Sequence, residues 1–110
     1  MRQRIVAGNW KMNKTANEAG ELVSEILQLV SQNPLENQLV ILFPSFTNLS
    51  QVSSIIKGNT SHIHTGGQNC HWEEKGAYTG EISAAMLESV GAEYVLIGHS
   101  ERRQYFKETN

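Results

Sequence analysis

A chain of 110 residues, 39% hydrophobic and 18% charged, is long and apolar enough to bury a core, which excludes a disordered polymer. Nine basic against eleven acidic side chains leave a net charge of −2, so there is no cationic excess to neutralise a phosphate backbone, and nucleic acid is excluded as a partner. Cys70 is the only cysteine, so no intramolecular disulfide can form and a reducing compartment is the default.

The N-terminal "MRQRIVAGNW" carries an apolar run only from Ile5 to Ala7, too short for a secretory signal, and no stretch approaches a membrane span. Cytoplasmic placement follows, with no membrane partner. The glycosylation tripeptides at Asn13, Asn48 and Asn59 are then chance matches.

"RIVAGN" predicts a first strand. Thr15 followed by Glu18 has the spacing of a capping box, and Leu22, Ile26, Leu29 and Val30 predict one apolar stripe on a helix that Asn33-Pro34 ends. "QLVILF" reads as a strand buried on both faces. Leu49, Val52, Ile55 and Ile56 make a second helical stripe, closed by Gly58. "HIHTGGQ" is a more polar strand candidate. A third stripe, Ile82, Met86, Leu87 and Val90, stops at Gly91, and "EYVLIG" is a fourth strand. Residues 100–103 fit the start of a fourth helix.

This βαβαβαβ order demands parallel strands joined by right-handed crossovers, with helices packed outside the sheet. An open doubly wound sheet and part of a (β/α)8 barrel both satisfy it. Periodicity does not separate them.

Either architecture collects chemistry at the carboxyl ends of its strands. The first strand runs out through "GNWKMN", where Asn9 and Lys11, if the extended conformation persists, point to one side about 6–7 Å apart. An amide beside an ammonium suits an anionic, oxygen-rich ligand, although a lysine after a strand is also ordinary surface. The fourth strand ends at His99. Free N–H groups of a helix beginning just beyond it would disfavour the imidazolium and leave a neutral ring able to donate a hydrogen bond. Glu101 is a candidate ion-pair partner for Lys11. His62, His64, Cys70 and His71 invite a metal reading, but their spacing matches no established ligand motif, and Gly66-Gly67 lacks the frame of a phosphate loop.

"AGNWKMN", "FPSFTNL", "GGQN", "GAYTGEIS" and "YVLIGHSERR" occur in this order along the whole chain and closely resemble triosephosphate isomerases. One departure is Ser45, where a second proline is common. The resemblance implies the N-terminal half of a (β/α)8 TIM barrel: four parallel strands, three helices and the start of a fourth. It also implies interconversion of glyceraldehyde 3-phosphate and dihydroxyacetone phosphate through an enediol(ate), with no metal and no organic cofactor. By the same resemblance Lys11 and Asn9 bind the triose phosphate substrate, Lys11 is also catalytic in stabilising the developing negative charge, and His99 is the neutral catalytic electrophile known in that family. Glu101 supports Lys11. Thr79 lies near the tip of a loop that enters a second copy, making the full-length protein a homodimer.

Members of that family run to roughly 250 residues. Residues 1–110 therefore read as one partial barrel domain, cut short before the carboxylate that abstracts the substrate proton and before the lid. As a fragment the chain is expected to be inactive, and its first and fourth strands are expected to be unpaired edges. The competing reading is a non-catalytic half-barrel that binds phosphorylated metabolites.

Overall fold

A computed structural model describes residues 4–33, 37–58, 62–97 and 105–108. The elements are β1 (Arg4–Asn9), α1 (Ala16–Gln32), β2 (Gln38–Phe43), α2 (Phe46–Lys57), β3 (Ile63–Gly67), α3 (Ala84–Ser89), β4 (Tyr94–Ile97) and β5 (Tyr105–Glu108). The strands lie in the order β1-β2-β3-β4-β5. The first four are parallel, with Arg4 opposite Gln38, Val40 opposite Ile63, and Gly66 opposite Tyr94.

Residue alternation along β2 sets the two faces of the sheet. Val40 and Leu42 meet the helices, in a cluster with Ala19 and Val23 of α1, Val52 and Ile56 of α2, and Ile63 of β3. Leu39, Ile41 and Phe43 turn the other way and pack with Tyr94 and Leu96 of β4. This second face is the inner wall of a half-barrel. Leu87 of α3 joins Leu49, Ala92 and Val95 in a further helix-side cluster.

The sequence places the elements well and one helical face less well. Leu29, assigned to the buried stripe of α1, is 60% exposed, whereas Ala19 and Val23 are fully buried. Ile26 and Val30 belong to both candidate stripes, and spacing alone does not choose between them. Contact with α2 does, because the small Ala19 permits close approach there. Met86 is similarly turned outward, while its neighbour Leu87 is buried.

The expected fourth-helix start, residues 100–103, lies outside the described residues. The chain reappears as β5, which pairs antiparallel with β4, Leu96 opposite Phe106. The expectation that the fourth strand is an unpaired edge is therefore corrected: β5 occupies that edge, and its aromatic "YF" pair suits a strand. Among the described residues, β1 pairs with β2 alone, and Ile5 and Val6 are exposed.

Gly66 marks a close approach. A Cβ there would meet the Tyr94 carbonyl oxygen at 2.7 Å and Phe43 Cδ1 at 2.8 Å, so the inner wall closes at this point only over glycine. Gly91, at φ +91°, supplies the left-handed turn that ends the α3 segment.

Candidate active site

The carboxyl ends of β1, β2 and β3 share one edge of the parallel sheet, and the connection from β1 to α1 folds over that edge. β1 stops at Asn9; Trp10 N–H donates to the Phe43 carbonyl at 3.1 Å. The extended conformation then ends, because Lys11 adopts φ +57°. The two side chains are thus not an i, i+2 pair on one strand face. Instead the Lys11 N–H donates to Asn9 Oδ1 at 2.9 Å.

Lys14 is also left-handed, at φ +79°. For residues with a Cβ this conformation costs about 1–2 kcal/mol each, so the loop persists only because its surroundings fix it. Besides Asn9, four side chains do so. Gln68, just past β3, donates from Nε2 to the Lys11 carbonyl at 2.9 Å and to the Phe43 carbonyl at 2.8 Å. Asn48 of α2, 1% exposed, donates to the Lys14 carbonyl at 2.8 Å and to Ser45 Oγ at 3.2 Å. Asn13 Nδ2 donates to the Trp10 carbonyl at 2.7 Å.

Glu18 completes the set with its carboxylate. It accepts from the Thr15 N–H at 2.9 Å and from the Thr15 hydroxyl at 3.2 Å, while its own N–H makes a long 3.5 Å bond back to Thr15 Oγ1. The capping box expected from the sequence is present. The backbone and side-chain bonds from Thr15 hold the Glu18 carboxyl below its ordinary value, and the nearby Lys14 charge acts in the same direction. The Lys11 side chain is exposed at this edge.

A cleft of about 410 Å³ lined by Asn9, Trp10, Asn13, Lys14, Glu18 and Leu22 opens beside the loop, on the α1 side; Lys11 does not line it.

His99 and Glu101 lie outside the described residues. Thr79 is exposed in the turn at the far end of the loop from His71 to Ser83, whose two ends form a parallel bridge. Two histidines of the metal reading face different carboxylates: His64 Nδ1 hydrogen-bonds Glu93, and His71 Nδ1 lies 3.7 Å from Glu81 Oε1. Among the described residues no three His, Cys, Asp or Glu side chains converge on one point.

Sequence reasoning missed Gln68 and Asn48. Their partners lie 57 and 34 residues away, beyond any local pattern, and only the glycines before Gln68 hinted at close packing there.

Sequential parallel strands, helices on the outer face and polar groups gathered at the strands' carboxyl ends define part of a (β/α)8 barrel. The sequence profile of the family described as triosephosphate isomerase matches residues 4–110. The triosephosphate isomerase of Caldanaerobacter subterraneus is 56% identical over all 110 residues, which cover 42% of its length, and that of Trichodesmium erythraeum is 52% identical over the same span, 44% of its length. The crystal structure of triosephosphate isomerase from Bartonella henselae superposes with a TM-score of 0.77 at 43% identity, over 91% of this chain and 39% of that one. The chain belongs to the triosephosphate isomerase family, and it spans less than half the length of these relatives.

Proposed function

We propose that this chain is the N-terminal part of an enzyme interconverting glyceraldehyde 3-phosphate and dihydroxyacetone phosphate through an enediol(ate). The observation that carries the reading is Lys11, an exposed cation on a loop held in a costly conformation at the carboxyl edge of the sheet, beside the side-chain amide of Asn9. Strain maintained at such an edge is characteristic of a binding site. Lys11 and Asn9 receive the anionic substrate, and Lys11 stabilises charge that develops on its oxygens. His99, uncharged, donates a hydrogen bond to the substrate carbonyl as it becomes an oxyanion. Glu101 steadies Lys11, and Thr79 reaches the corresponding site of a second copy in a homodimer. The chemistry is proton transfer alone and needs neither metal nor organic cofactor. Its cytoplasmic location is part of the same proposal; among the described residues no helix is long and apolar enough to cross a membrane.

No carboxylate in this reading is placed to take the substrate proton. General-base catalysis supplies about 10²–10⁴-fold, so the 110-residue chain alone turns over no substrate, whereas the gene product read to its stop codon does. A coupled isomerase assay on both species tests this. Saturable turnover by the verified short chain would refute its inactivity. An inactive complete product that still binds 2-phosphoglycolate would instead establish a binding module. In the active product, His99→Gln is expected to lower kcat by about 10²–10³, the cost of one lost oxyanion donor, and an unchanged kcat would remove His99 from this role.

A further inference from the structure

The loop between β3 and α3 is folded onto itself around one ring. The His71 imidazole stacks on Trp72 with centroids 4.5 Å apart and planes 25° apart, and lies against Tyr78 at 4.4 Å and 42°. His71 N–H donates to the Ile82 carbonyl at 2.7 Å, and its Nδ1 faces Glu81. The ring is mostly buried, with Nε2 enclosed and without a hydrogen-bond partner among the described residues. Trp72 is nevertheless 85% exposed and Tyr78 47% exposed. The loop thus organises its aromatic side chains within a single copy and leaves their outer surfaces bare.

We propose that His71 is a positioning residue for self-association: its ring holds Trp72 and Tyr78 in the arrangement that a second copy of this chain receives. This rests on the reading that the Thr79 loop docks on such a copy. A segment ordered in advance loses less conformational freedom on binding, so the brace contributes affinity without touching the partner. The flat ring provides the brace: it carries the Trp72 and Tyr78 contacts, while Nε2 has no hydrogen-bond partner among the described residues and Nδ1 lies 3.7 Å from Glu81 Oε1.

The test is made on the gene product read to its stop codon, by sedimentation over a range of concentrations together with collisional quenching of Trp72. His71→Ala is expected to raise the dimer dissociation constant about tenfold, from two lost ring contacts, and to make Trp72 more accessible to quencher. His71→Phe, which keeps a flat ring and removes both nitrogens, the Nδ1 facing Glu81 included, is expected to restore both. His71→Leu carries the same test if the alanine variant does not fold. Thr79→Arg serves as control, because a charge at the loop tip should break docking outright. Dissociation by Thr79→Arg with no effect of His71→Ala would overturn the brace and keep the docking reading. An unchanged dimer in both would overturn the docking reading and the brace with it. A phenylalanine variant as weak as the alanine one would show that a nitrogen, and not the ring, matters.

Discussion

Gln68 illustrates how one half-buried amide can govern a charged group whose side chain it does not bond. Its Nε2 satisfies the carbonyls of both Lys11 and Phe43, tying the strained residue to the ends of β2 and β3. In Gln68→Met the Lys11 carbonyl loses this donor, and the left-handed backbone loses a restraint that offsets its cost. The expected result in the complete gene product is a stability loss of about 1–2 kcal/mol. On the proposed function, a roughly tenfold lower kcat/KM, mostly through KM, is expected as well, since misplacement of Lys11, the proposed binding group, weakens ground state and transition state together. Steady-state kinetics alongside thermal melting check this, and a stability loss with unaltered KM would show that Gln68 does not act through Lys11.

At the scale of elements, α1 starts where its capping box dictates. The Glu18 carboxylate accepts from Thr15 more strongly while ionised, so its value lies below the ordinary 4.5. A group lowered on folding stabilises fully above its unfolded value, and the contribution fades as pH falls through the folded one. Melting followed between about pH 6 and pH 3 should therefore show an acid-side loss that Glu18→Gln reduces, because glutamine still accepts from the Thr15 N–H but does not titrate. An identical acid-side loss in both proteins would exclude this contribution. Thr15→Ala should cost about 1 kcal/mol at neutral pH. This box was legible in the sequence because its partners are three residues apart, and the strand and helix order was legible because apolar runs and stripes are local. Which stripe of α1 is buried was not, since α2 decides it. Nor was the turn at Lys11: nothing in "NWKMN" announces φ +57°, a conformation imposed by Asn9 from within and Gln68 from outside.

Over the whole molecule, the two margins of the sheet differ. β5 lies along β4, while β1 exposes Ile5 and Val6, 55% and 52% accessible, on a strand with a neighbour on one side only among the described residues. A flat apolar edge of this kind recruits another strand. The 110-residue chain by itself should therefore sediment as concentration-dependent oligomers, and Val6→Lys should shift it toward the monomer. A monomeric mass with a cooperative melt in the unaltered chain would contradict this. The protruding aromatic loop has an optical consequence as well. The chain contains two tryptophans, Trp10, half-buried at the active edge, and Trp72, standing 85% in solvent. Their intrinsic emission should separate into a blue-shifted and a red-shifted component. The red component belongs to Trp72, so the protein carries an unlabelled reporter on the surface where a second copy is proposed to arrive.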